Sequence, residues 1–216
     1  MTSNLTIDFG LYLITDRQVI VKPYHLLSAV EDALRAGVRA VQLREKDLPT
    51  RDLLDLAYKM RELTARYGAK FFVNDRTDIA LCVRADGVHL GQMGLPAYAV
   101  RKIAGRGLTI GISTHSLREA EIAEREGADF ITFGPLYPTP SKMKYGEPVG
   151  IEALKKVKEK ISVPIFGIGG IKRNTIREVM DSGAHGIALI SGILGETNVR
   201  TSAEGYIKEM DKGEWR

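Results

Sequence analysis

Glu126-Gly127-Ala128-Asp129-Phe130-Ile131-Thr132-Phe133-Gly134-Pro135-Leu136-Tyr137-Pro138-Thr139-Pro140-Ser141-Lys142 contains, in order, a helix end, a strand and a stiff loop. Gly127 stops a helical pattern as a residue able to take positive φ. Phe130 to Phe133 is a short apolar, aromatic and β-branched run, which predicts a strand. The three prolines that follow exclude helix from most of the loop and remove backbone donors, leaving Thr139, Ser141 and Lys142 as two hydroxyls and an ammonium on a rigid turn. Such a loop suits an anion; a solvated surface turn is the plain alternative. The same succession of helix, glycine, small residue and strand recurs at Ala36-Gly37-Val38, Ala85-Asp86-Gly87 and Ser182-Gly183-Ala184-His185-Gly186. The repeated element is a βα unit.

Working outward, strand-like runs fall at Leu11 to Thr15, Ala40 to Arg44, Lys70 to Asn74, Gly87 to Leu90, Thr109 to Ser113, Phe130 to Phe133, Pro164 to Gly167 and Gly186 to Ile190. Helical periodicity is clearest at Leu26 to Ala36, Arg51 to Tyr67, Ser116 to Glu126, Ile151 to Lys160 and Thr175 to Ser182, with Thr50 and Asn174 as expected N-caps. Eight βα units whose strands are too apolar to face water predict a parallel sheet closed as a single (β/α)8 barrel. A doubly wound open sheet is the alternative, and the first βα turn, Thr15-Asp16-Arg17, lacks its glycine-rich fingerprint. The expected organisation is one domain over 1–216, with 1–10 an N-terminal extension and 195–216 a C-terminal helix and tail.

The 216 residues are 44% hydrophobic and 27% charged, an ordinary globular balance that excludes disorder and fibrous repeats. The net charge of +4 is distributed among acidic residues, as in Arg118-Glu119-Ala120-Glu121, so no one-sided basic stripe points to nucleic acid. No apolar run approaches the ~20 residues that span a bilayer, and the N-terminus does not read as a signal peptide. The expectation is a cytoplasmic protein with a small anionic ligand, no nucleic-acid or membrane partner, and a homo-oligomer allowed. The single cysteine, Cys82, reads as a buried packing residue.

In a barrel the active site lies where strands end, so polar residues there are the ones to collect. Gln42 and Arg44 share a strand face and Lys46 follows, offering a guanidinium fork and an ammonium to a diphosphate, unless Glu45 and Asp47 neutralise them. Gly167-Ile168-Gly169-Gly170 and Ser191-Gly192 end the last two strands, where backbone N–H groups bind phosphate monoesters; tight packing is the alternative. Asn74-Asp75 could contact Mg²⁺ together with substrate phosphates, or Asp75 could cap the next helix. His25 and His185 read as structural or solvated and His89 is ambiguous. His115, beside Ser113, is placed to transfer a proton or merely to order Ser113.

Leu11-Tyr12-Leu13-Ile14-Thr15-Asp16, Val41-Gln42-Leu43-Arg44-Glu45-Lys46, Val73-Asn74-Asp75, Ala85-Asp86-Gly87-Val88-His89-Leu90-Gly91-Gln92, the proline loop and Ile168-Gly169-Gly170-Ile171 together resemble the thiamine-phosphate synthase and TenI superfamily, in order, from about Leu11 to Leu194. The resemblance implies a (β/α)8 barrel of thiamine biosynthesis. In the synthase branch it implies that Gln42, Arg44, Lys46, Asn74, Ser113 and Lys142 hold an aminopyrimidine diphosphate while Thr139, Ser141, Gly170, Ile190 and Ser191 hold a thiazole phosphate. The two are joined with loss of pyrophosphate through a pyrimidine carbocation, with Mg²⁺ on Asp75 and on a second Asp two residues beyond Gln92. This chain has Gly94 there. The tautomerase branch isomerises a carboxylated thiazole phosphate without a metal, with the residue matching His115 as proton shuttle and Ser113 and Lys142 beside it. The missing carboxylate and the His115-Ser116-Leu117 segment make the tautomerase the leading expectation and the synthase its alternative. A non-catalytic sensor of thiazole phosphate is the third reading.

Overall fold

In a computed structural model, which describes residues 7–139 and 147–213, eight parallel strands close into a barrel in sequence order, β1-β2-β3-β4-β5-β6-β7-β8. They are β1 (Leu11–Ile14), β2 (Ala40–Leu43), β3 (Lys70–Asn74), β4 (Gly87–Leu90), β5 (Thr109–Thr114), β6 (Phe130–Phe133), β7 (Ile165–Ile168) and β8 (Gly186–Leu189). The helices are α1 (Leu26–Arg35), α2 (Thr50–Arg66), α3 (Thr77–Cys82), α4 (Ala97–Ala104), α5 (Leu117–Arg125), α6 (Gly150–Lys158), α7 (Ile176–Asp181), α8 (Ser191–Leu194) and α9 (Val199–Asp211). The expected (β/α)8 barrel is therefore the observed fold. The eight strand positions agree with the sequence reading to within a residue or so at their ends.

Strand alternation splits the apolar residues into two cores. One face of each strand packs under the helices, as with Leu13, Val41, Phe71, Val73, Val88, Ile110, Ile131 and Ile187. The other face fills the barrel with Tyr12, Ile14, Ala40, Phe72, Phe130, Phe166 and Ala188. The three phenylalanine rings on these strands fit because a glycine stands beside each: Phe72 is in register with Gly87, Phe130 with Gly111 and Phe166 with Gly186, while Tyr12 lies between Ala40 and Ala188. A Cβ on Gly87 would lie 2.5 Å from the Phe72 ring, and one on Gly186 would lie 2.8 Å from that of Phe166. Residues 7–10 are more than an extension: Ile7 and Phe9 are buried in the barrel interior, and the Phe9 ring lies 5.2 Å from that of Phe166.

The repeated Asp before a strand ties neighbouring units together. Asp86 accepts from Phe71 N and from Arg61 on α2, and Asp129 accepts from Ile110 N and from Arg101 on α4. Each carboxylate thus satisfies the entry of the preceding strand and anchors the helix that leads into that strand.

Several local expectations are corrected. Thr50 is the first residue of α2 rather than its cap, Pro49 precedes it without a side-chain bond, and Thr50 Oγ1 accepts from Arg76 instead. Asn174 sits inside the 3-10 turn Arg173–Thr175, and α7 starts after it. Side-chain caps are made by His25, Ser116 and Asn198. Cys82 is exposed, because it ends a six-residue helix on its outer side. The helices α3 and α4 are not among those read most clearly from the sequence.

Candidate active site

At the mouth of β1 and β2 the acids and bases of Arg44-Glu45-Lys46-Asp47 are sorted by a residue from another loop. Glu45 is buried and accepts from Thr15 Oγ1 at 2.7 Å and from Arg17 Nη1 at 3.1 Å, while the Arg17 guanidinium also grips Asp47 at 2.6 and 2.7 Å. Thr15 Oγ1 in turn accepts from Arg44 N at 2.9 Å, fixing the strand end. Arg44 and Lys46 form no ion pair among the described residues. The alternative reading, neutralisation by Glu45 and Asp47, is not seen among the described residues, and Arg17 is the residue the sequence reading missed.

Below this rim a polar chain crosses the barrel. Gln42, buried, donates from Nε2 to Tyr12 Oη at 3.0 Å. Tyr12 Oη lies 3.5 Å from His89 Nδ1, and His89 Nε2 lies 3.0 Å from Ser113 Oγ. His89 is thus an interior residue, settling its ambiguous reading. Burial, with the Arg44 charge adding to it, lowers its pKa from 6.5 to about 3. The unfolded chain therefore binds this proton below about 6.5 while the folded one stays neutral down to about 3, so His89 lowers stability progressively as pH falls through that window. Urea unfolding at pH 7 and pH 4.5 should show His89→Gln losing less stability than the parent, the difference approaching about 1.4 kcal/mol per pH unit. Equal losses would mean that His89 is protonated in the fold.

On the β3 side, Asn74 Nδ2 donates to Asp75 Oδ2 at 2.8 Å and Gly91 N donates to Asp75 Oδ1 at 2.7 Å. Asp75 does not cap α3, whose N-cap is Arg76 without a side-chain bond. It holds φ +56, a conformation tolerated by Asp and Asn but uncommon, of the kind concentrated at functional sites. Gly94 closes onto the same carboxylate: a Cβ there would stand 2.7 Å from Asp75 Oδ1. No cluster of three or more His, Cys, Asp or Glu side chains suited to a metal occurs among the described residues. The donor set fits Mg²⁺ only as a one-carboxylate site completed by ligand phosphate oxygens, which is an accepted way of binding that ion.

Across the mouth, the loop after β6 lies along the end of β7, with Leu136 N donating to Ile168 O and Tyr137 N to Gly169 O. Gly169 and Gly170 hold φ +92 and +68, and a Cβ on Gly170 would lie 2.7 Å from Pro138 O. These glycines thus admit the proline loop, which is the tight-packing reading made of them. The short α8 begins at Ser191, and its N-cap Ile190 makes no side-chain bond. Thr139 belongs to the described part of the loop; Ser141 and Lys142 lie outside the described residues.

His115 follows β5. Its N donates to Glu119 Oε2 at 2.7 Å, while Ser116 Oγ caps α5. Its Nδ1 bonds the Gly134 carbonyl, so it braces the β6 loop rather than Ser113. That leaves Nε2 as the unprotonated nitrogen in the neutral ring. Ser113 is ordered by His89 and, through its carbonyl, by Gln92.

A closed barrel whose strand ends gather Arg44 and Lys46, the Asp75 carboxylate and the glycines that end β7 defines a (β/α)8 protein with its polar groups collected on one rim. The family model described as "Thiamine monophosphate synthase" (TMP-TENI) matches residues 11–193, and the chain belongs to that family. A Geobacter sulfurreducens protein named "Putative thiamine-phosphate synthase" is 53% identical over 201 residues, 93% of this chain and 94% of the relative. The "Thiamine-phosphate synthase" of Alkaliphilus oremlandii is 42% identical over 94% of this chain and 97% of its own. Among solved structures, "Thiamine phosphate pyrophosphorylase" from Pyrococcus furiosus superposes with a TM-score of 0.86 at 40% identity, covering 94% of this chain and 96% of its own. The chain is thus an enzyme of thiamine biosynthesis, and these names leave the non-catalytic sensor unsupported. No described helix is long and apolar enough to cross a membrane.

Proposed function

We propose that the chain is a thiamine-phosphate synthase, which reverses the order of the two enzyme readings drawn from the sequence. The observation that carries this is the Arg17 clamp on Glu45 and Asp47, which leaves Arg44 and Lys46 available for a diphosphate. A tautomerase has no departing pyrophosphate to hold. The synthase name borne by relatives at 42% identity and by a structure at 40% supports the same choice.

In this reading the aminopyrimidine ring sits on Gln42 and Ser113, with Asn74 beside it, and its diphosphate on Arg44, Lys46 and Lys142. The thiazole phosphate takes the opposite corner, at Gly169, Gly170, Ile190 and Ser191 with Thr139 and Ser141. Mg²⁺ would be held by Asp75 and diphosphate oxygens, supplying charge neutralisation at the leaving group. The bond from the pyrimidine methylene to the diphosphate oxygen breaks, and its electrons leave with pyrophosphate. The thiazole nitrogen then donates its lone pair to the methylene carbon. Arg44 and Lys46 favour this step because they face charge that grows as the bond breaks. His115 keeps the β6 loop attached to β5.

The test supplies purified protein with aminopyrimidine diphosphate, thiazole phosphate and Mg²⁺, and measures thiamine phosphate and pyrophosphate. Both should form in equal amounts. If neither forms while a carboxylated thiazole phosphate is isomerised, and His115→Asn stops that isomerisation, the tautomerase is the correct branch.

A further inference from the structure

Tyr12 and His89 lie beneath the mouth, and the reaction described above uses neither. Both are buried, yet together they bridge Gln42 and Ser113, two groups of the pyrimidine site. Hydrogen-bond direction can be followed along this chain. Gln42 Nε2 donates to Tyr12 Oη at 3.0 Å, so the Gln42 amide has its NH₂ turned inward and its Oε1 left for the mouth. The phenol keeps its proton, since burial raises its pKa well above 10.0, and that proton turns toward His89 Nδ1 at 3.5 Å. A neutral imidazole that accepts at Nδ1 must carry its hydrogen on Nε2, which faces Ser113 Oγ at 3.0 Å and Thr132 Oγ1 at 3.5 Å. Ser113 Oγ, accepting from below, has its own hydrogen free to point at a ligand.

We propose that Tyr12 and His89 are positioning residues that fix the site's polarity, acceptor at Gln42 Oε1 and donor at Ser113 Oγ, and so select an aminopyrimidine over its oxo counterpart. An aminopyrimidine presents an amine donor and a ring-nitrogen acceptor, which matches that pair. An oxopyrimidine presents a carbonyl acceptor and a ring N–H donor, which opposes it at both points. A mismatch leaves polar groups unpaired in a confined site, and that is more costly than merely losing a contact. The whole chain could only be reversed together, with Nδ1–H donating to Tyr12 and Ser113 donating to Nε2; the inward Gln42 Nε2 opposes that arrangement. This inference rests on the synthase reading.

Two measurements test it. In the free protein, imidazole ¹⁵N shifts should report His89 as the neutral Nε2–H tautomer; an Nδ1–H tautomer would overturn the relay whatever the enzyme does. In the assembled reaction, kcat/KM for aminopyrimidine diphosphate should exceed that for the oxo analogue by about 10²-fold, from two matched contacts of about tenfold each. Tyr12→Phe keeps the ring and the packing, and should cut that ratio about tenfold through KM, with kcat and the KM for thiazole phosphate little changed. His89→Gln should do the same. Losses equal for both pyrimidines, or a parent enzyme that makes thiamine phosphate without discriminating between them, would sink the relay and leave the synthase intact. A parent that binds neither pyrimidine diphosphate would sink both.

Discussion

Asp75→Asn should lower the rate of thiamine phosphate formation by about 10²–10³-fold, the usual effect of deleting one electrostatic stabiliser of a developing charge. Asn is the informative replacement because it tolerates the φ of +56 found here and retains an oxygen able to accept from Gly91 N. The variant therefore removes charge with little change of shape. The dissociation constant of thiazole phosphate, which the proposed reading assigns to the opposite corner, should stay within about twofold. The prediction is sharper for this chain than for a two-carboxylate site, because Gly94 supplies no second carboxylate to take over. Raising Mg²⁺ should recover part of the lost rate, since a weakened ion site can be filled by mass action. A variant as fast as the parent at every Mg²⁺ concentration would remove Asp75 from the mechanism.

Phe130→Ala should destabilise the fold by about 3–5 kcal/mol, the range for truncating a fully buried phenylalanine. Its ring is inaccessible and lies 5.4–6.0 Å, centroid to centroid, from those of Phe9, Tyr12, Phe72, His89 and Phe166. The glycine beside it, Gly111, cannot fill the vacated space. Neighbouring strands are locked in a closed ladder, so collapse onto the cavity is limited and the upper part of the range is expected. Urea denaturation reads the effect directly. A loss below about 1 kcal/mol would mean that the barrel interior repacks. The same variant loosens Tyr12 and His89, so pyrimidine selectivity should weaken where Phe130→Leu leaves it nearer the parent.

The sequence was explicit about the strands and most of the helices, though not about the helix caps. Apolar strand runs, glycine stops and the recurring βα unit are short-range patterns, and eight βα units in order pointed to a parallel barrel. Because such a barrel brings all strand ends to one rim, the same reading also collected Gln42, Arg44, Asn74, Asp75, Ser113, Gly170 and Ser191 as the site. It could not say which charges would remain available there. Arg17 pairs with both Glu45 and Asp47 from 28 to 30 residues away, and no periodicity connects them. Likewise, His89 looked uncertain in isolation, and only the inward parity of β1, β4 and β5 joins it to Tyr12 and Ser113, 77 and 24 residues distant. Gly94 was visible as a missing carboxylate, yet its closure onto Asp75 was not. Local propensity and burial pattern follow from each residue's immediate neighbours and are written in the sequence. The pairing of polar groups across a closed sheet depends on register and barrel curvature, and those exist only once all eight strands have met.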